Sequence, residues 1–76
     1  MAGDVTIDVR GLKCPLPVLK AAKRMQPHPA GTRFRVLATD PLASIDFPNF
    51  CREEGHQLLG SAKDGETLSF EIEKGG

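Results

Sequence analysis

Apolar and polar positions along this chain follow two different periods. Val5, Ile7 and Val9 alternate with Thr6 and Asp8, the two-residue repeat of a strand with one covered face. Gly11 breaks the alternation and allows a sharp exit. Val18, Ala21, Ala22 and Met25 then recur at i, i+3, i+4 and i+7, one face of a helix, with Lys20, Lys23 and Arg24 on the other side. Two prolines and a glycine in Gln26-Pro27-His28-Pro29-Ala30-Gly31 end that helix and turn the chain. Thr32 to Ala38 predicts a second strand with Phe34, Val36 and Ala38 facing in.

The second half repeats this logic less cleanly. Pro41 to Glu54 predicts a broken helix, with Ile45, Phe50 and Cys51 on its apolar face. Pro48 interrupts or restarts it, Asp46 serves as cap, and Gly55 stops it. His56 to Lys63 is a weak strand, and Asp64-Gly65 is a two-residue hairpin signal. In Glu66 to Lys74, Leu68, Phe70 and Ile72 point in, while Thr67, Ser69, Glu71 and Glu73 point out. Gly75-Gly76 is expected to be a flexible tail.

The element order is therefore βαβαββ, an α+β fold. Strand, helix and strand in succession predict a right-handed unit with parallel strands. The polar outer face of the last strand predicts a sheet covered on one side only. The expected architecture is a two-layer α/β sandwich, a four-stranded mixed sheet with two helices on one face. At 76 residues, 1–76 is read as a single domain.

The chemistry gathers where the first strand meets the first helix. Pro15 suits the first helical position, which makes Cys14 the N-cap and places Pro17 third. Such a loop is stiff and holds the sulfur at the positive end of the helix dipole. With Lys13 adjacent and Arg10 near, the thiol is expected to ionise more readily than a free cysteine. Leu16 falls on the wheel with Lys20 and Lys23, off the apolar stripe, so Leu12 and Leu16 are read as an apolar collar for a docking partner. Parallel strands share one C-terminal edge, which puts Thr39-Asp40-Pro41 beside the Cys14 loop. Asp40 there either hydrogen-bonds the loop, helps protonate a leaving thiolate, or starts the turn into the next helix.

Arg10-Gly11-Leu12-Lys13-Cys14-Pro15-Leu16-Pro17 resembles the Cys-Pro-x-Pro signature of the TusA/SirA-like sulfur carrier family. The likeness continues in Thr39-Asp40-Pro41, in Asp46-Phe47-Pro48-Asn49-Phe50-Cys51 and in Ile72-Glu73-Lys74-Gly75-Gly76. The resemblance implies that Cys14 carries a persulfide. It also implies sulfur accepted from a cysteine desulfurase or rhodanese-like donor and passed to an acceptor protein. Thiolation of a tRNA wobble uridine, molybdenum cofactor maturation and sulfur oxidation are destinations it implies for the sulfur. Arg10, Gly11, Lys13, Pro15, Pro17 and Asp40 are expected to support the thiolate or its loop. Leu12, Leu16, Lys20 and Lys23 are the candidate partner contacts.

Composition narrows the alternatives. Formal charge is zero, yet residues 1–38 hold seven Lys and Arg against two acids, while residues 39–76 hold three against eight. A balanced total argues against avid nucleic-acid binding, and the dipole could steer an acidic partner surface toward Cys14. The acidic start Met1-Ala2-Gly3-Asp4 does not read as a signal peptide, and no apolar run approaches membrane-spanning length. A cytoplasmic monomer is expected. Two cysteines do not make a secreted disulfide framework, and Cys51 is read as a core residue.

Other chemistries find less support. His28 lies beyond a helix of about 12 residues, roughly 18 Å from Cys14, and is read as a surface loop residue. The position of His56 relative to Cys14 stays open. Two cysteines and two histidines show no metal-ligand spacing, and no cofactor motif is present. A terminal Gly-Gly also ends ubiquitin-like thiocarboxylate carriers, but their element order differs. Two readings compete with the carrier: an interaction module in which Cys14 merely caps a helix, and a thiol redox protein cycling a Cys14–Cys51 bond.

Overall fold

The structure is a computed structural model that describes residues 4–75; Met1 to Gly3 and Gly76, with the readings placed on them, lie outside. Elements follow in the order β1 (Val5–Asp8), α1 (Leu16–Met25), β2 (Arg33–Ala38), α2 (Ala43–Glu54), β3 (Gln57–Asp64) and β4 (Thr67–Glu73). The sheet order is β1-β2-β4-β3. β1 runs parallel to β2, with Ile7 opposite Val36, and the other two pairings are antiparallel. The expected α+β sandwich is therefore what forms.

Alternation fixes which face is covered. Ile7, Val9, Phe34, Val36, Phe70 and Ile72 are buried on one face of the sheet. The helices supply Ala21 and Met25 from α1 and Ala43, Phe47, Phe50 and Cys51 from α2. Phe47 stacks on Phe70 with ring centroids 4.9 Å apart and meets Phe50 edge-on at 6.3 Å. On the bare face, Arg35 pairs with Glu71 at 2.7 Å and Arg33 with Glu73 at 3.5 Å, each directly across from its partner. Such exposed pairs keep that face polar and register-matched rather than adding much stability.

Several boundaries differ from the sequence expectation, each for a local reason. α1 begins at Leu16 with Pro15 as N-cap, so Cys14 lies one residue outside the cap, and the start shows no side-chain capping hydrogen bond. α2 runs unbroken through Pro48, and Asp46 lies inside it, with Leu42 as N-cap. The carbonyl that Pro48 leaves unpaired belongs to exposed Ser44, where water can serve it, so the helix tolerates the proline. An unbroken α2 turns Ile45 outward, 59% exposed, and puts Phe47 in the core.

The C-terminal half also closes more tightly than expected. Gly55 ends α2 with φ 77° and ψ 19°, and its N–H bonds the Cys51 carbonyl. The hairpin turn is Gly65-Glu66, one residue later than expected, because Asp64 still pairs with Thr67 and the positive φ falls on Gly65. Gly75 is held rather than loose: its N–H donates to His56 Nδ1 at 3.0 Å. A Cβ there would lie 1.8 Å from the Gly55 carbonyl oxygen, so only glycine fits.

Candidate functional site

The Cys14 loop is built from the end of β1 upward. Asp8 turns its carboxylate onto the next residues, accepting from the Arg10 backbone N–H at 3.0 Å and from its guanidinium at 2.9 and 2.8 Å. That bidentate partner holds the Asp8 carboxyl at about 2. Gly11 then takes φ 83°, a conformation that favours glycine, and its N–H donates to Thr39 Oγ1 at 2.9 Å. Three residues on, the Cys14 N–H donates to Asp40 Oδ2 at 2.6 Å. The Cys14–Pro15 peptide is cis.

Asp40 resolves its open roles by holding two of them. One oxygen takes the Cys14 N–H, and the other takes the Leu42 N–H at 3.1 Å at the start of α2. Both bonds favour the ionised form and lower the Asp40 pKa, so it is a poor donor for a leaving thiolate. It ties the β1–α1 loop to the β2–α2 loop, a contact that the shared C-terminal edge of two parallel strands makes possible.

The expected activation of the thiol is reversed. Cys14 is exposed, but its thiol is pushed up, first by a hydrogen bond to the Asp46 carboxylate, then by desolvation and by the charges of Asp46 and Asp40. Arg10 is committed to Asp8, and the Lys13 charge acts on Asp40 instead. The helix dipole offers little: the Leu16 N–H is taken by the Lys13 carbonyl at 2.8 Å, and Pro15 and Pro17 have none. Pro17 is buried and fixes the first turn of α1 against the core.

Cys14 opens onto a cleft of about 520 Å³ between α1 and α2. Val18, Leu19 and Ala22 line it from α1, and Phe50 and the acids Asp46, Glu53 and Glu54 line it from α2. Around the sulfur end, the first turns of both helices leave apolar side chains in water. Leu16 and Leu42 are each 51% exposed, and Leu19 and Ile45 each 59%. Of the two residues expected to form a collar, Leu16 is exposed, whereas Leu12 packs partly against the core. Lys20 and Lys23 are exposed on α1, outside the lining of the cleft.

Asp46, Glu53, Glu54 and Leu19 were not singled out in the sequence as cleft residues. Ala43, Phe47, Phe50 and Cys51 stand at i, i+4, i+7 and i+8, and that spacing already specified an unbroken helix with Asp46, Asn49 and Glu53 on another side.

The remaining candidates stand apart from the sulfur. Cys51 is buried in the core, as expected, and burial pushes its thiol up to about 11. His56 packs on Phe50 at 5.1 Å between ring centroids, and burial lowers its pKa. His28 is half-buried rather than a free surface residue, edge-on to Phe34 at 5.2 Å. Neither histidine lines the cleft with Cys14. Among the described residues no three His, Cys, Asp or Glu side chains are grouped to hold a metal ion. No helix among them is long and apolar enough to cross a membrane.

Comparison with known proteins places these features in a family. Residues 5–74 match the family model described as sulfurtransferase TusA. The chain is 41% identical over 71 residues to the sulfur carrier protein TusA of Pseudomonas entomophila, spanning 93% of this chain and 89% of that protein. It is 38% identical over 71 residues to the sulfur carrier protein TusA of Allochromatium vinosum, with 93% of each chain covered. YrkF of Bacillus subtilis is 36% identical over 76 residues, but this chain spans only 41% of its length. The crystal structure of a SirA-like protein from Desulfitobacterium hafniense superposes with a TM-score of 0.80 at 27% identity, over 95% of this chain and 99% of that one.

Proposed function

Because the chain belongs to the TusA family of sulfur carriers, we propose that it holds sulfur as a persulfide on Cys14 and relays it between two proteins. The observation that carries this reading is the placement of Cys14. It is a free, exposed thiol on a loop pinned by Thr39 and Asp40, at the mouth of a cleft. The capping module reads less well, since Pro15 is the N-cap and no side chain caps the helix.

Loading is an exchange without net oxidation. The Cys14 thiolate attacks the outer sulfur of a donor persulfide. A new S–S bond forms at Cys14, the donor S–S bond breaks, and the donor cysteine leaves as thiolate. The Cys14 proton passes to Asp46 or to water. Delivery repeats the exchange with an acceptor thiolate attacking the outer sulfur and Cys14 leaving. Once loaded, the terminal sulfur stands about 2 Å further from Cys14 Sγ, one S–S bond out toward an approaching acceptor.

The donor in this reading is a cysteine desulfurase or a rhodanese-like protein, and the acceptor serves tRNA thiolation or sulfur oxidation. The domain acts in the cytoplasm as a single unit and a monomer, touching neither membrane nor RNA itself. The test is an intact mass under non-reducing conditions after incubation with a cysteine desulfurase and cysteine. One added sulfur on the wild type and none on Cys14→Ser is the expected result. Unimpaired loading of Cys14→Ser would remove the assignment, and failure with both a desulfurase and a rhodanese donor would remove the carrier reading.

A further inference from the structure

The cleft beside Cys14 has a charge pattern that the carrier chemistry does not by itself require. Asp46, Glu53 and Glu54 line its α2 wall, and among the described residues no basic side chain lines it. None of the three acids takes part in an ion pair among those residues, although the chain carries as many bases as acids. Val18, Leu19 and Phe50 add apolar lining. The length of α1, ten residues, is about 15 Å, which an extended strand covers in four or five residues.

From this we infer that the cleft docks an extended, cysteine-bearing segment of the acceptor protein that carries Lys or Arg within a few residues of its cysteine. The acceptor cysteine sits at the Cys14 end, an apolar side chain lies on Leu19 and Phe50, and the cations meet Asp46, Glu53 and Glu54. The inference rests on the carrier reading and names what that reading leaves open, the chemistry by which a partner is recognised.

Docking of this kind also changes the sulfur. The charges that act on Cys14 among the described residues are the carboxylates of Asp46 and Asp40, and both oppose its negative form. A cation brought to Asp46 relieves that repulsion when the partner is in place. Cys14 is then a quiet thiol alone and a better nucleophile or leaving group in the complex. An acidic segment would do the reverse, so the same wall that favours one partner class rejects the other.

The test uses three synthetic heptapeptides, each with one cysteine and one leucine, and with two arginines, two glutamines or two glutamates. The persulfide-loaded chain is mixed with each, and sulfur transfer is followed by mass and normalised to transfer to 2-mercaptoethanol by the same preparation. Transfer to the arginine peptide should exceed transfer to the glutamate peptide about tenfold at low salt, and the ratio should shrink in high salt. The double variant Glu53→Gln/Glu54→Gln should lower that ratio at least threefold. A version of the arginine peptide with serine for cysteine should speed alkylation of Cys14.

Equal transfer to all three peptides, or a ratio unchanged in the double variant, would overturn the inference while leaving the carrier intact. A chain that takes no sulfur yet binds the serine peptide in a salt-dependent way would sink the carrier and keep the docking site. A dimer in sedimentation experiments that excludes the serine peptide would put a second copy in the cleft and overturn it as well.

Discussion

The two cysteines should answer an alkylating reagent on very different timescales. Cys51 is 2% exposed, and burial pushes its thiol to about 11 from an ordinary value of 9.0. At pH 8 a thiol with a pKa near 9 is ionised in about one molecule in ten, and one near 11 in about one in a thousand. That is a hundredfold loss of reactive thiolate before access is counted. Access adds to it, because Cys51 lies under α2 against the sheet with Phe47 and Phe50, so reagent reaches it only when that packing opens. The Cys14 thiol is raised too, by Asp46, but it stands in solvent. Iodoacetamide added to the native protein at pH 8, with intact mass followed over time, should give one adduct. That adduct should be missing in Cys14→Ser, with Cys51 slower by a hundredfold or more, and both should react alike in denaturant. Comparable rates in the native protein, or a Cys14–Cys51 disulfide formed by diamide, would refute the argument and restore the redox reading.

Other consequences follow from the same geometry. Phe47→Ala removes a ring that is fully buried, stacked on Phe70 and edge-on to Phe50. Urea unfolding should show a loss of about 3–5 kcal/mol. Leu16→Glu, at a position 51% exposed, should leave the melting temperature unchanged while slowing sulfur transfer to a protein partner; a large drop in melting temperature would contradict the exposure. Between pH 9 and about 11 the unfolded chain releases the Cys51 proton and the folded chain retains it, so stability should fall across that window. Cys51→Ala should flatten the decline. Asp40→Ala frees the N–H groups of Cys14 and Leu42, so both should exchange hydrogen faster by NMR while the sheet amides stay protected.

Much of this was legible because the signals were local. The alternation through Val5, Ile7 and Val9, the stripe on α1 and the break at Gly11 each lie within a few residues, and parallel pairing of β1 with β2 brought Asp40 to Cys14 as expected. The thiol's environment was not local. Lys13 and Arg10 are its neighbours in sequence, yet Arg10 is paired with Asp8 and the Lys13 charge acts on Asp40, while Asp46 arrives from another helix. Its place depends on whether α2 continues through Pro48. Proline penalises a helix interior, but one lost bond beside an exposed Ser44 weighs less than burying Phe47, Phe50 and Cys51 together.

The two sides of α2 keep separate records. Ala43, Phe47 and Cys51 face the sheet and answer only to packing, while Asp46, Asn49 and Glu53 look onto the cleft and contribute little to the core. A gene copy could therefore drift at the second set without risking collapse of the protein. Duplicated carriers in one cell would be able to part company by a handful of surface exchanges, each keeping the same cysteine and the same skeleton while answering to a different neighbour.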